Sequence, residues 1–157
     1  MRIVQYKTML DEDRKNILVR ESSKNYPDLR KLNNPDDLSL LANSVFDANH
    51  LAEEHAWLIA VNTKNHPIGV FEVSHGSDCA SIVTPRELFV RLFLCGAHAF
   101  FLIHNHPSGD TTPSSEDNAL TKRIIAAGKK LNVELLDHVI IADRTYYSYR
   151  WYHGEWF

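Results

Sequence analysis

The residues best placed to do chemistry lie in one stretch, Phe100 to Asp117, FFLIHNHPSGDTTPSSED. An apolar run leads into His104 and His106, a Pro/Gly/Thr loop follows, and Ser114-x-x-Asp117 stands where a helix should begin. Side chains on a strand alternate between faces, so His104 and His106 share one face and Asn105 points away. Their Cα atoms would sit roughly 6.6 Å apart, which lets two imidazoles converge on one ion. Pro107 and Gly109 end the strand and turn the chain. With Ser114 as N-cap, Asp117 falls in the first helical turn, where exposed N–H groups favour a carboxylate and return its oxygen over the strand end. Two histidines and an aspartate make the N/N/O donor set of a catalytic zinc, with a fourth position left for water.

Each part has an ordinary explanation as well. Ser-x-x-Asp is close to a capping box, and a single histidine at a strand end is usually a satisfied structural residue. The pair, the sharp turn and the capped acidic helix together are harder to derive from packing alone. No HExxH helix and no Pro-Cys-x-x-Cys deaminase signature is present.

The run HNHPSGDTTPSSED resembles the JAB/MPN (JAMM) metal-hydrolase motif, a distant Glu followed by His-x-His-Pro, a spacer and Ser-x-x-Asp. With ALTKRI and LDHVII after it, the stretch looks like the bacterial RadC-type proteins, a resemblance covering about Pro35 to Tyr149. It implies an α/β/α sandwich with a curved mixed β-sheet, like the cytidine-deaminase fold. It also implies zinc held by His104, His106 and Asp117, with Ser114 and an upstream Glu in catalysis. Many RadC-type proteins carry an N-terminal helix-hairpin-helix DNA-binding region. That region is missing here, which weakens the expectation of a DNA role.

The elements that must position these groups can be read in order. Residues 1–34 form an extension: an edge hairpin turning at Asp11 to Arg14, then a polar linker from Ser22 to Asn34. Asn34-Pro35-Asp36-Asp37 starts a helix whose Leu38, Leu41, Ala42, Val45 and Phe46 recur at helical spacing. Residues 35–157 form the RadC-like domain. Glu53, Glu54 and His55 read as a solvated link. Ala56 to Val61 and Ile68 to Ser74 make a hairpin around a turn at TKNHP. Cys79, in the loop from Gly76 to Thr84, reads as a small packing residue. Thr84-Pro85 caps a helix ending near Gly96, and Ala97 to Ile103 is a strand buried on both faces. The helix Ser115 to Leu131 buries Leu120, Ile124, Ala127 and Leu131, and Gly128 allows close packing on the sheet. The strand Val133 to Ala142 contains Asp137 and His138, expected to be a buried, hydrogen-bonded pair, with a supporting role near the zinc as the alternative. Thr145 to Arg150 pairs with it, so that Tyr147, Tyr149 and Trp151 alternate onto one face. That aromatic tail is either core packing of the last strand or a patch for self-association or a peptide partner.

Glu72 is the candidate for the distant Glu. In Ile68 to Ser74 one face carries Ile68, Val70 and Glu72, and a carboxylate on an apolar face is costly unless paired or near a cation. The resemblance agrees, since this strand leads to Ser74-His75-Gly76.

Composition limits the function classes. At 157 residues with net charge −3 and a pI near 6.3, the chain has no broad basic footprint for nucleic acid. Two cysteines suggest free thiols in a reducing cytosol, the charged N-terminus is no signal peptide, and no apolar run is long enough for a membrane span. A cytoplasmic location is expected. The function expected is a zinc metallopeptidase or isopeptidase. Zinc activates a water, Glu72 is general base, and Ser114 helps stabilise the oxyanion. The alternative is a non-catalytic, metal-stabilised binding module for a protein or nucleic-acid partner in a DNA-repair-related setting. Phosphodiester hydrolysis ranks below both, because one zinc and an acidic chain suit amides better than DNA.

Overall fold

A computed structural model describes residues 1–76 and 83–157; the reading of Cys79 falls outside the described residues. The chain order is β1 (Arg2–Leu10), β2 (Asn16–Asn25), α1 (Pro35–Phe46), β3 (Glu54–Val61), β4 (Pro67–Gly76), α2 (Pro85–Leu94), β5 (Ala99–Asn105), α3 (Ser115–Leu131), β6 (Glu134–Ala142), β7 (Thr145–Ser148) and a short α4 (Tyr149–Tyr152). The strands form one mixed seven-stranded sheet in the order β2-β1-β4-β3-β5-β6-β7. β1 runs parallel to β4 and β5 parallel to β6, while the other neighbours are antiparallel.

Helices cover both faces, as a sandwich requires. On one face, Leu88, Phe89 and Leu92 of α2 and Leu120, Ile124 and Ile125 of α3 pack against Leu58, Phe100 and Leu102. On the other, Leu38, Leu41 and Ala42 of α1 pack against Trp57, Ile59, Ile103 and Val139. β5 is buried at every position, which explains its unbroken apolar sequence. Two local rules set the helix starts. Asn34 Oδ1 accepts from the Asp37 N–H with Pro35 in the first turn, and Thr84 caps α2 in the same way. Gly128 lies so close to β6 that a Cβ there would stand 2.7 Å from the Val133 carbonyl oxygen.

The structure departs from the sequence reading at several element ends. β2 extends through Asn25, so Ser22 to Asn25 is strand, not linker. β3 begins at Glu54, not Ala56. The last strand stops at Ser148, whose hydroxyl accepts from the Trp151 N–H and starts a helical turn. Tyr147, Tyr149 and Trp151 therefore do not share one strand face: Tyr149 is buried and Trp151 is 70% exposed. Among the described residues, no helix is long and apolar enough to cross a membrane.

Candidate metal centre

β5 delivers His104 and His106 at its C-terminal end. His104 closes the ladder to β3 opposite Ala56 and pairs with Ile140 of β6 on the other side. The loop after it is shaped by Gly109, with φ of 82°, and by Asp110 Oδ1 accepting from the Thr112 N–H. It returns the chain to Ser114, the N-cap of α3. The cap is a full capping box: Ser114 Oγ accepts from the Asp117 N–H, and Asp117 Oδ2 accepts from the Ser114 N–H at 2.8 Å and its hydroxyl at 2.6 Å. The cap and ligand readings of Asp117 are thus compatible. One carboxylate oxygen closes the helix and the other faces His104.

The donors gather tightly. His104 Nε2 lies 3.0 Å from His106 Nε2 and 3.3 Å from Asp117 Oδ1, and His106 Nε2 is 3.6 Å from Asp117 Oδ2. A tetrahedral ion with bonds of about 2.0–2.2 Å holds its donors roughly 3.3–3.6 Å apart, so the spacing suits one ion. Glu54, at the start of β3, brings a carboxylate oxygen to the group: ligand atoms of Glu54, His104, His106 and Asp117 all lie within 4.8 Å of one another.

Hydrogen bonding fixes the ring tautomers in the neutral state. The Thr121 hydroxyl donates to the Asp117 carbonyl oxygen at 2.7 Å, so it accepts from His138 Nδ1–H. His138 Nε2 must then accept from His104 Nδ1–H, at 2.8 Å. His106 Nδ1–H donates to the Asp110 carbonyl oxygen. Both rings therefore turn a bare Nε2 lone pair toward a carboxylate oxygen. Three acceptors face to face call for a cation, and the outer hydrogen bonds are those that orient metal-ligating histidines.

The electrostatics follow from burial and proximity. Burial lowers His104 to about 4, partly opposed by Asp117. His106 is raised, chiefly by Asp117, to which the protonated ring would donate. Burial pushes Asp117 up, but His106, His104 and the Ser114 donors outweigh it and hold the carboxylate well below its usual range. Burial also keeps His138 well below its ordinary value. Behind His104 and Asp117 there is only about 10 Å³ of space, against Leu102, Leu120 and His138. A recess of about 230 Å³ opens beside His106, lined also by Asn49, Pro107, Ser108 and Asp143.

The structure does not bring Glu72 to this group. Its side chain is 50% exposed, and Oε1 lies 2.7 Å from His55 Nδ1. The burial argument assumed that the face carrying Val70 is covered to the end of β4. Val70 is fully buried, but Glu72, two residues further along the same strand, is exposed. Glu54 was read as solvated link because it precedes the apolar run. No local signal could have found it, because its place depends on β3 lying antiparallel to the histidine strand. His138 and Asp137 are both buried, but their side chains bond elsewhere: Asp137 accepts from the Ser148 hydroxyl and the Arg150 N–H, and His138 serves His104. His138 thus takes the alternative, supporting role behind His104, while Asp137 does not.

A family model described as the RadC-like JAB domain matches residues 32–154. The chain is 45% identical over 118 residues to a UPF0758 protein of Alkaliphilus metalliredigens, covering 75% of this chain and 50% of the relative. It is 43% identical over 117 residues to one of Desulfitobacterium hafniense, covering 74% and 51%. It is 41% identical over 128 residues to one of Clostridium tetani, covering 82% and 54%. The chain spans about half the length of the curated relatives it matches. With a mixed sheet between helical layers and a His/His/Asp group at a strand end, the chain belongs to the RadC-like JAB domain family.

Proposed function

We propose that this protein is a zinc-dependent hydrolase of amide bonds, a metallopeptidase or isopeptidase, with His104, His106 and Asp117 holding the ion and Glu54 as general base. The observation that carries this is the set of two imidazole lone pairs and a carboxylate aimed at one point, with a second carboxylate beside them. Nitrogen and oxygen donors in a small, partly open group favour zinc among the divalent ions. When bound, zinc supplies a Lewis acid for the scissile carbonyl and lowers the pKa of a water to roughly 7.

The protein's own residues do the rest. Glu54 takes a proton from the attacking water and hands it to the departing amine, the two-step duty of a general base turned acid. Asp117 and the histidines stay fixed, because each is tied by a second hydrogen bond to Ser114, Asp110 or His138. Ser114 can turn its hydroxyl to the developing oxyanion while its N–H keeps Asp117 Oδ2 in place. Substrate approaches from the His106 side, where a recess of about 230 Å³ opens beside that ring.

The test separates Glu54 from Glu72. Zinc-loaded protein is incubated with a random peptide mixture, and new amino termini are counted by mass spectrometry. E54Q should retain zinc and lose at least about 100-fold in turnover, within the range for a lost general base, while E72Q should cleave as the native protein does. Loss in E72Q with activity in E54Q would return the role to Glu72. No cleavage by the native zinc-loaded protein would favour a binding module.

A further inference from the structure

The middle residue of the His-x-His pair has so far had no task. Asn105 closes β5 with its side chain on the face opposite the histidines, and it is 1% exposed. The backbone ladder between β3 and β5 ends at Ala56 and His104. Beyond that point the Asn105 amide takes over. Its Oδ1 accepts from the His55 N–H at 2.7 Å, and its Nδ2 donates to the Glu53 carbonyl oxygen at 3.0 Å. Those two backbone groups flank Glu54.

We infer that Asn105 is a positioning residue that holds Glu54 in register with His104 and His106. A side-chain amide offers a donor and an acceptor side by side, as a peptide unit does, so Asn105 extends the β3–β5 contact by one rung beyond the last backbone pair, Ala56 and His104. The rung brackets a single residue, and that residue's carboxylate belongs to the metal group. Asn105 is bonded covalently to both histidine residues. One side chain therefore ties the segment of the proposed base directly to the two proposed ligands, where the β3–β5 ladder itself no longer does. Without it, the Glu53 carbonyl and the His55 N–H lose their partners on the β5 side while Glu54 and His55 stay paired with Gly76 and His75 of β4, and misplacement of a reacting group by about 1 Å can cost 10²-fold in rate. Aspartate or serine cannot supply both bonds, and glutamine supplies them one methylene too far out.

This inference rests on Glu54 as the general base, and the experiment separates the two. E54Q, N105A and the double variant are compared for turnover of the random peptide mixture, for zinc affinity by chelator competition, and for amide hydrogen exchange at His55. N105A should lower kcat about 10- to 100-fold with KM and zinc affinity within about threefold, and the His55 amide should lose protection. In the double variant the second change should add nothing to E54Q, because Asn105 acts through Glu54. Additive losses would reduce Asn105 to a general structural residue and overturn the inference. Unchanged turnover in E54Q would instead remove the reading of Glu54 on which it stands. If N105A does not fold, N105S takes its place. In the native protein, a His55 amide that exchanges as fast as a fraying strand end would also overturn it.

Discussion

Thr121, His138 and His104 form a line of hydrogen bonds that begins at the Asp117 carbonyl oxygen and ends at the lone pair His104 turns to the site. Thr121→Val keeps the shape and removes the hydroxyl, leaving His138 Nδ1–H without its partner in a fully buried position. His104 then loses its fixed tautomer. Zinc affinity measured by chelator competition should fall about 10- to 100-fold; an unchanged affinity would mean the line does not orient the ligand. Cys95 gives a second prediction at this scale. Burial pushes its thiol up to about 11, so at pH 7.5 nearly all of it is protonated and unreactive. In a Cys79→Ser background, alkylation by iodoacetamide should be far slower than for glutathione, and should rise with pH well above 9. The same residues show what the sequence made legible. His104, His106 and Asp117 could be grouped because alternation on one strand and one helix cap define their geometry locally. Glu54 could not, because its place depends on the β3–β5 register, a tertiary fact. The burial cost that singled out Glu72 does not act at a side chain that is half exposed.

At the scale of elements, the centre is the junction of a fully buried strand and a capped helix, and α3 must lie close on β6 for Asp117 to reach β5. Gly128 permits that approach. In an exposed helix Gly→Ala gains about 1 kcal/mol from propensity, but here the new methyl would meet the Val133 carbonyl oxygen at 2.7 Å, a backbone atom that cannot swing away. Gly128→Ala should therefore destabilise the protein, by about 1–3 kcal/mol as overpacking does, read as a lower urea midpoint at unchanged slope. A gain in stability would show that α3 can slide on the sheet. This close approach was readable as a glycine amid a helical stripe. The C-terminal end was not readable in the same way. Tyr147, Tyr149 and Trp151 do alternate in sequence, yet Ser148 has two local uses, capping α4 and donating to Asp137. Those bonds end the strand before alternation can continue.

For the whole molecule, the question is how far the fold depends on the ion. Two apolar clusters, one on each side of the sheet, bury most of the large side chains without any contribution from the donors. Metal-free protein should stay folded, unlike a small zinc domain that has no core of its own. The donors nonetheless press lone pairs together at 3.0–3.6 Å, so the folded state binds a cation and the unfolded chain does not hold that geometry. Zinc at about 1,000 times its Kd adds roughly 4 kcal/mol by mass action, which for a domain of this size is a rise of roughly 8–16 °C in Tm. A calorimetric scan of chelator-treated protein should thus give one cooperative transition, moved up by added zinc. His104→Ala should keep a single transition and lose most of the zinc-dependent rise, since the remaining donors no longer enclose an ion. An equal rise in both proteins would place the binding elsewhere, at surface histidines such as His50 or His75, and leave the strand-end group without its cation.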